Sequence, residues 1–224
     1  RTKKLFDEWL QSGILVQDEK ESIYFYRQEY KTMGQKHTRL GFVSLMELGN
    51  EKGSKIYPHE KTHDEAFYDR LNLWQAVNGN LSCIFVCFSD FQRKVETIFN
   101  KNVSIKDPIV DVTDDDQVRH IVWRLDDERL IKEIQTIMSD QQLFIADGHH
   151  RFRVANEMRR LKAEKLGKLT ADDPINFVMT YFTNLDSKDL QILPMHRIVP
   201  KFPEDTQFLE EFFRCDKVDS KDEL

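Results

Sequence analysis

The sequence predicts a mixed α+β (α/β) fold. Stretches rich in aromatic and β-branched residues come in pairs around turns: residues 22–30 and 39–48 flank Gly34, and 108–115 and 117–125 flank an acidic tip at Asp114–Asp116. Two short apolar runs, 81–88 and 143–146, have the length of buried strands. Segments 64–77 and 127–138 repeat apolar residues at helical spacing between them. Strands and helices are intermixed and hairpins are present, which excludes an all-α or all-β chain.

Taken in order, 3–15 places Leu5, Phe6, Trp9 and Leu10 on one helical face, with Gly13 at the end. After the first hairpin, 55–62 leaves a strand and turns at Pro58. Segment 64–77 directs Phe67, Leu71, Trp74 and Val77 inward and stops at Asn78-Gly79-Asn80. The run 81–88 reads as a central strand, buried on both faces. A short helix over 91–99 follows, then the second hairpin. The helix over 127–138 carries its acids at the N-terminus, as the helix dipole prefers. The strand 143–146 runs into a sharp turn, 147–151, and a helix over 152–167. Strands over 175–184 and 190–199 and a helix over 205–213 complete the reading.

The chain has 224 residues, 40% hydrophobic and 32% charged, with 16 Phe. That is long enough to bury a core and too aromatic for disorder. Without a repeat or linker, residues 1–224 read as a single α+β domain. Arg1 rather than Met at the start points to a piece of a longer protein. A formal charge of −6 gives no electrostatic case for nucleic acid or an anionic membrane as partner. No apolar run reaches the ~20 residues a membrane span needs, and no signal peptide is evident. Cys83, Cys87 and Cys215 cannot all pair within one chain, and the expectation is free thiols in the cytoplasm. The terminal Lys221-Asp222-Glu223-Leu224 spells a retention address that only a secreted chain would use, so it reads as an accident of where the sequence stops.

Chemistry concentrates in residues 143–158, a strand, a tight turn and a helix. The open N–H groups of a first helical turn, with the helix dipole, make an anion site. Gly148 permits close approach, Arg151 can offer a fork to phosphate, and His149 and His150 add donors or a proton carrier. Asp147 can hold Mg²⁺ or accept a hydroxyl proton. The plainer alternative makes Asp147 a helix cap and the two histidines surface residues.

Pro58-His59-Glu60-Lys61-Thr62-His63 matches the HExxH zinc motif. The context is wrong: Pro58 precedes it, Lys61 sits inside it, and no third ligand is evident, so no structural zinc is expected. Glu60, exposed by a Pro turn at a strand end, is instead a candidate general base. In Leu193-Pro194-Met195-His196-Arg197, the residues His196 and Arg197 can face the same cleft as the 147–151 turn. The cluster 159–168 reads as a solvated helix face.

These pieces resemble the family catalogued as domain of unknown function 1015. TRLGFVSLMEL, IYPHEKT, VNGNLSCIF, LFIADGHHRFRVA and YFTNLDSKDLQILPMHRIV carry the likeness in order over roughly residues 22–200. Trp74 and Cys83 depart from it, where a smaller aliphatic residue and a proline are expected. The DGHHR turn in addition resembles the phosphate-binding turn of the ParB/sulfiredoxin superfamily, over about 140–158. That likeness implies a ParB/sulfiredoxin-like core and a phosphate-binding subregion at about 140–200. Free serine kinases of the superfamily have a similar turn, and transfer phosphate from a nucleotide to a small hydroxyl amino acid.

The resemblance therefore implies Gly148, His149, His150 and Arg151 around the phosphates and Asp147 assisting Mg²⁺ or catalysis; the reading of the residues adds His196 and Arg197 to the phosphate set, and Glu60 and His150 to Asp147 as catalytic residues. It implies ADP or ATP with Mg²⁺ at Asp147 as cofactor, and a nucleotide-dependent phosphotransferase acting on a small hydroxylated metabolite. A non-catalytic nucleotide-binding switch of ParB type is the alternative. Sulfiredoxin chemistry needs a cysteine where His149 stands.

Overall fold

The computed structural model describes residues 1–49, 55–192 and 207–214. The chain falls into two compact units, Arg1–Leu190 and Gln191–Leu224. The first is built on one eight-stranded mixed sheet in the order β3-β7-β4-β8-β2-β1-β6-β5. Its strands are β1 (Ile23–Thr32), β2 (Gln35–Glu47), β3 (Ile56–Tyr57), β4 (Ile84–Phe88), β5 (Val110–Thr113), β6 (Arg119–Leu125), β7 (Leu143–Asp147) and β8 (Phe177–Asn184).

The antiparallel half follows from local sequence. Thr32 pairs with Gln35, which leaves Met33-Gly34 as a two-residue turn at φ 49° and 77°. That turn type matches the twist of the strands it joins. β5 and β6 pair around the expected acidic tip, where the Asp114 carboxylate accepts from the Val118 N–H at 2.9 Å. β1 joins the two hairpins by pairing with both β2 and β6. The other half needs long-range pairing: β8 runs antiparallel to β2 but parallel to β4, β4 antiparallel to β7, and β7 parallel to β3.

Helix α2 (Asp64–Val77) buries Phe67, Leu71 and Val77 and ends at Asn78 in the left-handed conformation. Helix α3 (Lys94–Ile98) runs on into a π-helical turn, Phe99–Val103. Helix α4 (Glu128–Ser139) is capped by Asp127, whose side chain accepts from the Leu130 N–H at 3.1 Å. Helix α5 (His149–Leu166) is the longest. Helix α1 (Thr2–Gln11) forms as the periodicity predicts but buries none of its residues. In the second unit the structure describes one short helix, α6 (Gln207–Glu210). The expected strand over 190–199 lies outside the described residues from 193 onward.

The core occupies one face of the sheet. Phe25, Phe42, Met46, Ile84, Val86, Phe88, Trp123 and Leu125 point to that face, and α3, α4 and α5 add Val95, Ile98, Ile134 and Ala155 to the same cluster. The reading of 143–146 as a buried strand needs correction, since only Ile145 of β7 is buried. β7 lies second from the sheet edge, with Phe144 and Ala146 on the face opposite the core. An unbroken apolar run carries no alternation that would reveal this. The helix after β7 also starts earlier than the expected residue 152. Gly148, at φ 93°, reverses the chain in one residue, so His149, His150 and Arg151 already lie in the first turn of α5.

Candidate functional site

Two segments ninety residues apart leave the sheet together. β3 and β7 are parallel neighbours, with Ile56 beside Leu143 and Tyr57 stacked on Phe144 at 5.4 Å between ring centroids. Their chains therefore exit at the same end of the sheet. From β3 emerges Pro58–His63, and from β7 emerge Gly148 and the start of α5.

His149 joins them. It is 4% exposed, and its Nε2 accepts the backbone N–H of His59 at 3.3 Å. That bond fixes the neutral tautomer with its hydrogen on Nδ1. Nδ1 lies 3.3 Å from a carboxylate oxygen of Glu60. Burial lowers the imidazole pKa, opposed by the Glu60 charge and supported by the neighbouring His59. The His59 ring meets the His149 ring edge to face at 4.5 Å. His150 repeats the device one residue on, its Nε2 accepting the backbone N–H of His63 at 3.1 Å. Arg153, one helical turn below His149, donates to Thr62 at 3.0 Å, pairs with Asp64 at 2.9 Å and stacks on Phe67. The 58–64 segment is thus tied at several points to the first two turns of α5.

On the other side of the turn, the Arg151 guanidinium folds back over Gly148. It pairs with Asp147 at 2.5 Å and donates to the Cys83 carbonyl and to Ser82 Oγ. The antiparallel pairing of β4 with β7 sets Phe85 opposite Asp147, which brings Ser82 and Cys83 within reach. Arg151 braces the turn in this arrangement. Asp147 Oδ1 has no partner among the described residues, so one carboxylate oxygen is open to a cation held mainly by phosphates.

The backbone N–H groups of His149, His150 and Arg151 also meet no acceptor among the described residues. They stand at the positive end of an 18-residue helix. From there an open groove of about 990 Å³ runs along α5, lined by Glu60, Thr62, Tyr68, His149, Arg153 and Arg159 among others. The Glu60 side chain is 60% exposed at its edge.

The structure thus brings together Glu60, Asp147, Gly148, His149, His150 and Arg151. His196 and Arg197 lie outside the described residues. The HExxH residues sit on an extended segment, and His63 only caps α2 with extended backbone angles. Among the described residues no three His, Cys, Asp or Glu side chains converge as metal ligands. Cys83 and Cys87 are free thiols, and Cys215 lies outside the described residues. No helix among the described residues is long and apolar enough to cross a membrane.

Sequence reasoning missed the tie between Arg153 and the 58–64 segment, although Arg153 stands four residues after His149 and shares its helix face. It also missed Ser82 and Cys83, whose role appears only through the pairing of β4 with β7. No curated protein and no solved structure matches the chain. One family model does, across residues 1–223, and the chain belongs to that family, described as protein of unknown function (DUF1015).

Proposed function

We propose that this chain is a nucleotide-dependent phosphotransferase acting on a small hydroxylated metabolite, such as a free amino acid, with phosphates seated on the first turn of α5. One observation carries the reading: the three backbone N–H groups of the first turn, at His149, His150 and Arg151, are unclaimed among the described residues, and the first of these residues faces the Glu60 carboxylate with its buried imidazole. The likeness of the DGHHR turn to the ParB/sulfiredoxin superfamily supports it.

Each residue then has a task. The N–H groups and the helix dipole hold phosphate oxygens. Gly148 keeps the backbone close to them. Glu60 is held at one oxygen by His149 Nδ1–H, has His59 Nε2 3.9 Å from the other, and stands with its exposed side chain on the groove wall. The acceptor hydroxyl attacks phosphorus and loses its proton to Glu60, and the P–O bond to the leaving nucleotide breaks with its electron pair. Bound Mg²⁺ would neutralise phosphate charge, and Asp147 is the carboxylate placed to hold it. His150 secures the loop through His63 and keeps Glu60 near the turn.

The test is a thermal-shift panel of ADP, ATP, CTP and GTP with Mg²⁺, on this chain and on Asp147→Ala, followed by phosphorus NMR with free hydroxyl amino acids. A nucleotide at ~100 times its dissociation constant adds ~2.7 kcal/mol, a rise of roughly 5–10 °C for a chain this long. A shift lost in Asp147→Ala, with phosphate appearing on a hydroxyl acceptor, supports the reading. Protection without turnover favours the nucleotide-gated switch. No shift with any nucleotide overturns both.

A further inference from the structure

A second cavity opens on the core face of the sheet, beside the C-terminal half of α4. Its volume is about 610 Å³, within the range that holds a small organic ligand. Strands β2 and β8 supply one wall, where Phe42, Met46 and Phe182 face the core. Ile134 and Met138 of α4 supply a second. Ile56 of β3 and Leu143 of β7 complete it, both only partly buried. The cavity is therefore continuous with the apolar core and open to the outside at its rim.

One polar group stands in this apolar wall. Alternation along β2 sends Phe42, Ser44 and Met46 to the same face. Phe42 and Met46 are buried, whereas Ser44 between them is partly exposed and lines the cavity. Its cross-strand partner is Thr180, but the Thr180 hydroxyl donates to the Val178 carbonyl at 3.1 Å. The Ser44 hydroxyl makes no hydrogen bond to a described residue and stays reachable from the cavity. It is an open donor and acceptor among apolar side chains.

The charges and the rings narrow the ligand. Among the described residues that line the cavity, only Glu47 and Lys55 are charged, one of each sign and both exposed. Lys55 Nζ is already held by the Ser139 carbonyl at 3.2 Å and by Asp140 at 3.3 Å. An ion entering the cavity would lose its hydration and find no free counter-charge. Phe42 and Phe182 stack at 5.0 Å between centroids, and Met46 and Met138 add adaptable thioethers that pack well on rings.

We propose that this cavity binds a neutral, flat aromatic molecule carrying one hydrogen-bonding group, its rings among Phe42, Phe182, Met46 and Met138 and its polar group on the Ser44 hydroxyl. The site shares none of the residues that hold phosphate or Glu60, and stands independently of phosphotransfer.

The test titrates 2-naphthol, naphthalene and 2-naphthoate into the intact chain, read by calorimetry and by the methyl resonances of carbon-13-labelled methionine. 2-Naphthol is expected to bind more tightly than 2-naphthoate. It should shift the methyls of Met46 and Met138 and leave those of Met33, at the hairpin tip, and Met179, on the other face of β8, in place. Ser44→Ala should weaken 2-naphthol roughly fivefold, as loss of one neutral hydrogen bond does, and leave naphthalene unchanged. Met138→Trp, which fills the space, should abolish binding of both; if it fails to fold, Ser44→Ala still decides. Asp147→Ala should bind 2-naphthol as the parent chain does. Absence of 2-naphthol binding at millimolar concentration, 2-naphthoate binding as tightly, shifts that miss Met46 and Met138, or equal 2-naphthol affinity in Ser44→Ala overturns the proposal.

Discussion

The Glu60 carboxylate faces Nδ1 of a buried His149 at 3.3 Å, while the other ring nitrogen accepts the His59 backbone. The imidazole therefore serves two neighbouring residues of one loop with two different atoms. Replacing His149 by Ala removes both and should cost about 1–3 kcal/mol of stability. On the proposed function it should also lower kcat on the order of a hundredfold, because Glu60 loses its orientation. His149→Gln, which keeps a donor and an acceptor, should recover part of both losses. Chemical denaturation and steady-state kinetics on the two variants check this.

Gly148→Ala places a Cβ 3.1 Å from the Arg151 guanidinium at a backbone φ of 93°. The left-handed conformation alone costs about 1–2 kcal/mol for a residue with a side chain. The expected result is a melt lower by several degrees and, on the proposed function, weaker nucleotide protection, since the turn is strained and Arg151 must give way by a few tenths of an ångström.

Gly41→Ala should destabilise the sheet by a steric clash. A Cβ there meets the Phe182 carbonyl and the Tyr181 ring. Overpacking of this kind costs about 1–3 kcal/mol, and the backbone partner prevents easy relief. The double variant Gly41→Ala/Tyr181→Ala should regain little, because the carbonyl stays. Urea denaturation of both distinguishes clash with the ring from clash with the strand.

Cys87 gives a pH dependence with a definite sign. Burial pushes its thiol up to about 11 from an ordinary value of 9.0. The folded state holds the proton more tightly than the unfolded one, so the contribution is complete below pH 9 and is lost as pH rises toward 11. Stability should fall across that window, less steeply in Cys87→Ala. At pH 8 the thiol should resist alkylation in the folded chain and react on unfolding.

Much of this architecture is legible in the residues themselves. The turn at Gly34, the acidic tip at Asp114–Asp116, the acids at the start of the 127–138 helix and the stop at Asn78 are local chemistry, and the structure agrees with each. The segments of the site are legible too, since strand, glycine turn and helix follow one another within a dozen residues. Their meeting is not. Nothing near Glu60 signals that β3 pairs with β7, and a two-residue strand is too short for periodicity. The histidines show the limit most clearly. Composition marks His149 and His150 as donors to a ligand, whereas both spend an acceptor nitrogen on backbone N–H groups of one distant loop. Which nitrogen a histidine uses depends on long-range neighbours, and spacing does not encode them.

The brevity of β3 has a kinetic consequence. Edge strands open at a fraction of the free energy of global unfolding, and among the described residues this one pairs with β7 at Ile56 and Tyr57, with one further bond from the Leu143 N–H to the Lys55 carbonyl. Amides of β3 at residues 56 and 57 should therefore exchange with solvent well before those of β4 or β8, and those of His59 and His63 as soon as their bonds to His149 and His150 open. An excursion of that kind would carry Glu60 away from His149 with the sheet intact. The rate at which the edge closes again then sets how quickly the two halves of the site can meet, and a sequence change in β3 could tune that rate without touching any residue of the site itself.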